Sequence, residues 1–66
     1  MEYTNSQIQQ IIREYVHSLR DRVILKKRLI DGMSYSAIAL EMELSERQIK
    51  NIVYKGENLI FKHIPK

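Results

Sequence analysis

Cysteine is absent from the 66 residues, proline occurs once and glycine twice, and each shortage removes a class of structure. Without thiols there is neither a disulfide staple nor a thiolate metal site. Gly32 and Gly56 are isolated from each other, so no glycine-rich loop is available to cradle a phosphate. Pro65 is the only proline, and no Pro/Gly-rich linker, repeat or low-complexity tract divides the chain, which reads as one domain over 1–66. His17 and His63 are the only histidines, 46 positions apart, and neither belongs to a recognisable nucleophile motif or sits beside a pair of carboxylates. That arrangement argues against acid–base or covalent catalysis and offers no metal-ligand spacing, so no catalytic residue, metal or cofactor is expected. Long apolar runs are missing too: LIF at 59–61 is bounded by Asn58 and Lys62, far short of the roughly 20 residues that span a bilayer. No charged-then-apolar N-terminal stretch has the form of a secretion signal, and the expected location is the cytoplasm.

What the chain does have is basic charge in two blocks. Eleven Lys and Arg against eight Asp and Glu leave +3. Residues 20–31 carry Arg20, Arg22, Lys26, Lys27 and Arg28 against Asp21 and Asp31, and residues 46–66 carry Arg47, Lys50, Lys55, Lys62 and Lys66 against Glu46 and Glu57. Each block is +3, so the remainder is −3. A duplex with one phosphate charge per about 1.7 Å attracts such blocks, while the plain alternative is a pair of solvated helix faces. A chain this short buries only about 60% of its unfolded surface, which leaves a thin margin that a second copy or a partner would widen.

Apolar periodicity predicts an all-α domain of about four helices. Asn5 or Ser6 caps a first helix with the stripe Ile8, Ile11, Ile12, Tyr15, Val16 and Leu19. Ser18 followed by Asp21 is a variant capping box, so a second helix starts near Leu19 and runs to Asp31, unless the first helix simply continues. Gly32 closes it with positive φ and Met33 packs back on the preceding turn. Ser34 caps the third helix, with the Ser36 hydroxyl nearby. Ser45 and Gln48 form an S-x-x-Q capping box ahead of the fourth.

Within Ser34–Tyr54, SYSAIALEMELSERQIKNIVY, the apolar residues sit where two crossing helices need them. Ile38, Ala39 and Met42 share one face, Leu44 fills the turn, and Ile49, Ile52 and Val53 line the next helix at i, i+3, i+4. A small Ala39 lets the helices approach closely, as a helix-turn-helix requires.

The 37 residues RDRVILKKRLIDGMSYSAIALEMELSERQIKNIVYKG resemble the DNA-binding helix-turn-helix of bacterial transcription factors, most closely sigma factor region 4 and LuxR-type domains. The family usually places Gly where this chain has Glu43, so either Glu43 takes a positive φ at a cost of roughly 1 kcal/mol or the turn differs. The resemblance implies a transcription regulator that lays residues 46–55 in the major groove of double-stranded DNA. Glu46, Arg47, Lys50, Asn51, Tyr54 and Lys55 would face the groove. Arg47 suits guanine O6 and N7, Asn51 suits adenine N6 and N7, and Lys50 reaches guanine or phosphate. Glu46 would accept from a cytosine amino group or serve the helix start. Ser34, Ser36, Ser45 and Gln48 suit phosphate or base contacts at helix starts. Lys26, Lys27 and Arg28, with Arg20 and Arg22, would flank the groove on phosphates, or Arg22 and Lys26 would solvate an outer face with Asp31 as a local ion partner.

The tail is open to two readings. Leu59, Ile60 and Ile64 keep helical spacing with Ile52, Val53 and Gly56, yet Gly56 can also stop the helix and leave LIFKHI extended. Leu59, Ile60, Phe61 and Ile64 then close the core or form a homodimer contact, which would set two recognition helices about 34 Å apart. The rival to DNA is a protein partner: the acids Glu41, Glu43 and Glu46 around the turn suit docking on RNA polymerase or another regulator.

Overall fold

A computed structural model describes residues 4–63. In chain order the helices are α1 (Asn5–Tyr15), α2 (Leu19–Leu29), α3 (Tyr35–Met42) and α4 (Glu46–His63), with no strand among the described residues. The all-α expectation holds. α4 is the hub, packing against α1, α2 and α3.

Short polar signals set most of the boundaries. α1 begins one or two residues earlier than expected: Thr4, not Asn5 or Ser6, is the N-cap. Gln7 N–H donates to Thr4 Oγ1 at 3.1 Å, and Thr4 N–H donates to Gln7 Oε1 at 3.0 Å, a complete capping box. α1 stops at Tyr15 because Val16 turns to extended backbone, so the first helix does not continue into the second. Ser18 then caps α2 by accepting from Asp21 N–H at 3.3 Å. The stripe expected on α1 is shorter in consequence: Ile11, Ile12 and Val16 are buried, while Leu19 belongs to α2 and is 75% exposed.

α2 ends at Leu29, two residues before the expected Asp31. Ile30 and Asp31 N–H both donate to Lys26 O at 3.0 Å, and Met33 N–H returns to Lys27 O at 2.9 Å. Gly32 makes this turn at φ 72°, in open space. Arg22 is half-buried and corrects a second expectation. Its Nε donates to Val16 O at 2.6 Å and its Nη2 to Arg13 O at 2.9 Å, so it ties down the carbonyl end of α1 instead of lying on phosphate or solvating an outer face. The ion pair expected of Asp31 does not form with any described residue; the carboxylates paired are Asp21 with Arg20 and Glu41 with Lys27, both at 3.4 Å.

The core is aliphatic: Ile11, Ile12, Val16, Ile24, Leu25, Ile38, Ala39, Ile49, Val53 and Ile60 are buried, and among the described residues no polar side chain is. Gly56 resolves the tail. It does not end a helix but lies buried within α4, which runs on helical to His63, so 57–63 is not extended. A Cβ at Gly56 would stand 2.6 Å from Leu25 Cδ1 and closer still to Cδ2, so any larger residue there would make the Leu25 side chain shift. Ile60 is buried beyond it and closes the core. The Tyr15 and His63 rings stack at 3.7 Å, 5° from parallel, joining the ends of α1 and α4. Ile64 lies outside the described residues.

Candidate nucleic-acid interface

α3 and α4 are joined by the three residues Glu43–Leu44–Ser45, so the expected helix–turn–helix is formed. Ile38 and Ala39 of α3 are buried with Ile49 and Val53 of α4, and Met42, Leu44 and Ile52 pack at the edge of that cluster. Glu43 adopts φ 56°, ψ 41°, the left-handed conformation that a glycine would take without strain. Leu44 N–H returns to Ala39 O at 3.0 Å, the six-to-one bond of a Schellman-type ending, and carries the Leu44 side chain onto the core. The strain at Glu43 is thus matched to a turn that seats Leu44.

The next residues start α4. Gln48 N–H donates to Ser45 Oγ at 3.1 Å, and Ser45 N–H donates to Gln48 Oε1 at 2.9 Å. Both polar groups expected at this helix start are therefore engaged in the capping box, which orders the first turn of α4. Ser34 has the same task on α3: Ala37 N–H donates to its Oγ at 3.1 Å, and the exposed Ser36 Oγ lies 3.4 Å from it.

With Ile49, Val53, Gly56 and Ile60 facing inward, a helix turning about 100° per residue must present Arg47, Asn51, Tyr54 and Lys55 on its opposite side. All four are exposed, Tyr54 by 54%, and none of their side chains makes a hydrogen bond or ion pair with a described residue. Glu46 and Lys50 are exposed at one flank of this face. Because α4 continues past Lys55, the same face extends through the exposed Asn58 and Lys62, which the sequence reading did not count as site residues. Their signal was there: 51, 55, 58 and 62 continue the helical spacing.

The cations of α2 are not alike. Lys26 is exposed, Lys27 Nζ lies 3.4 Å from Glu41 Oε1 on α3, and half-buried Arg28 donates from Nη1 to Met33 O at 2.9 Å. The Arg28 guanidinium also sits 4.3 Å from the centre of the Tyr35 ring, with Lys50 Nζ 5.6 Å from the same centre. Arg28 and Lys50, far apart in sequence, are thereby brought to one spot, whereas Lys26 and Lys27 are not part of it. Among the described residues no three His, Asp or Glu side chains gather where a metal could bind, and no helix is long and apolar enough to cross a membrane.

The chain matches no family model, no curated protein and no solved structure. The geometry of α3, the turn and α4 therefore carries the functional argument.

Proposed function

We propose that this protein is a sequence-specific double-stranded DNA-binding transcription regulator that sets the N-terminal half of α4 in the major groove. The supporting observation is the outer face of α4, where a guanidinium, an amide, a phenol and an ammonium at 47, 51, 54 and 55 are exposed and make no hydrogen bond or ion pair with a described residue. Such side chains cost little to redirect toward base edges, because no internal bond has to break. Arg47 fits guanine and Asn51 fits adenine, each good pair discriminating by about 1–3 kcal/mol. Lys55 and Lys62 add phosphate attraction along the same face. The turn supplies the other requirement, a fixed angle between α3 and α4, through Ala39, Leu44 and Glu43. A regulator of this kind works in the cytoplasm, and two copies on a symmetric site would double the face presented to DNA.

Binding to random-sequence duplex at two salt concentrations, followed by selection of the bound fraction, tests the reading. Affinity falling steeply with salt and enrichment of a short motif are expected; Arg47→Ala should weaken binding by about 1–3 kcal/mol and relax the motif at the position Arg47 reads, with the salt dependence largely kept. A two-fold symmetric motif would indicate a homodimer.

A second reading has its own observation. Glu41, Glu43 and Glu46 are all exposed around the turn, and Leu40 beside them is 83% exposed. Acids surrounding a bare leucine repel phosphate and suit a basic, apolar protein surface such as a docking site on RNA polymerase or another regulator. Absence of DNA binding at low salt would favour it.

A further inference from the structure

We propose that Tyr35 is a positioning residue whose ring holds Arg28 and Lys50 together as a two-cation seat for backbone phosphate, an inference that rests on the DNA-binding reading. Three elements meet here: Arg28 comes from the end of α2, Tyr35 from the first position of α3, and Lys50 from the first half of α4. The ring is partly buried against the core and so is fixed in place. With the guanidinium 4.3 Å and the ammonium 5.6 Å from one ring centre, the two charges are no more than about 10 Å apart. An aromatic face attracts both cations, which explains how like charges are held close together.

Among the described residues neither charge has an ion-pair partner. Arg28 donates to a carbonyl, Met33 O, and the ion pairs among the described residues are Arg20–Asp21 and Lys27–Glu41. Asp31 and Glu46, the acids nearest in sequence, pair with neither cation. A guanidinium anchored by one Nη and an ammonium held at the same ring, no more than about 10 Å apart, can reach backbone phosphate on one strand together. Lys50 is then a phosphate ligand and not a base reader, which leaves sequence choice to Arg47 and Asn51. Preorganisation is the gain: the ring fixes two long side chains before DNA arrives.

The test compares Tyr35→Leu with Tyr35→Phe, since phenylalanine keeps the ring and leucine keeps only apolar bulk. On duplex DNA, Tyr35→Leu should weaken binding about tenfold and lower the slope of log K against log salt by one to two, as loss of one or two phosphate contacts requires. Tyr35→Phe should restore both, and the selected motif should be unchanged in either variant. A folded Tyr35→Leu with wild-type affinity and slope overturns the proposal. If Tyr35→Leu loses helicity, Lys50→Gln replaces it, with a slope lowered by about one and an unchanged motif expected; an altered motif at unchanged slope makes Lys50 a base reader and overturns the seat. Inorganic phosphate, titrated into the isotope-labelled chain, separates this proposal from the wider reading. Shifts at Arg28, Tyr35 and Lys50 that vanish in Tyr35→Leu support the seat even when no duplex binds, and no shift at these residues overturns it.

Discussion

The inner and outer faces of α4 differ in what each position tolerates. Inward, Ile49 and Val53 are almost completely buried, and Gly56 leaves no space for even a methyl group beside Leu25. Outward, the side chains of Arg47, Asn51, Tyr54 and Lys55 make no hydrogen bond or ion pair with a described residue. One helix thus divides its work: the inner residues hold α1, α2 and α3 around it, and the outer ones are available to a ligand. Stability and recognition should therefore be separable by mutation, face by face.

The strongest way to break the inner face is Ile49→Ala. Its side chain is fully buried where α3 and α4 meet, so the lost transfer energy and the cavity together should cost about 4 kcal/mol. For a domain of this size that approaches the whole stability, and thermal unfolding followed by circular dichroism should show a weakly cooperative or unfolded chain. Gly56→Val should follow at about 3 kcal/mol, because a branched Cβ would collide with Leu25, itself only 1% exposed, and force it to repack within the core. A Gly56→Val protein as stable as the wild type would mean that α4 does not run closely past α2.

Arg47→Ala sharpens the contrast from the other side. Its unfolding free energy should stay within about 0.5 kcal/mol of the wild type, since an exposed side chain without partners is removed. Duplex binding should weaken by about 1–3 kcal/mol, read as a titration midpoint at fixed salt. Loss of stability without loss of binding would reverse the assignment of the two faces.

The smallest effect belongs to the turn between the helices. Glu43→Gly relieves a left-handed backbone but loosens the unfolded chain, and should stabilise by a few tenths to about 1 kcal/mol, seen as a raised urea midpoint at unchanged m-value. A lowered midpoint would mean that the glutamate side chain contributes more than its backbone strain costs.

Features governed by near neighbours in sequence were legible before the fold was known. The boxes and caps at Ser18, Ser34 and Ser45 depend on a side chain three residues from its partner, so spacing alone locates them. Thr4–Gln7 follows the same rule and was passed over for Asn5 and Ser6, whose residue types also cap helices. The outer face of α4 was readable from periodicity up to Lys55 and stopped there because Gly56 has two local meanings. Only the approach of Leu25, 31 positions away, selects between them. Arg22 reaching Val16 O and Arg28 meeting Lys50 at Tyr35 are likewise products of packing, which charge counting cannot distinguish from solvated or phosphate-facing cations.

The most direct test maps a short random-sequence duplex onto the isotope-labelled chain at low salt by backbone amide shifts. Changes centred on Arg47, Asn51, Tyr54, Lys55 and Asn58, with Ile49 and Val53 protected from exchange throughout, are the expected result. No change on adding duplex, or changes confined to Leu40–Glu46, would contradict the assignment of the outer face of α4 to DNA.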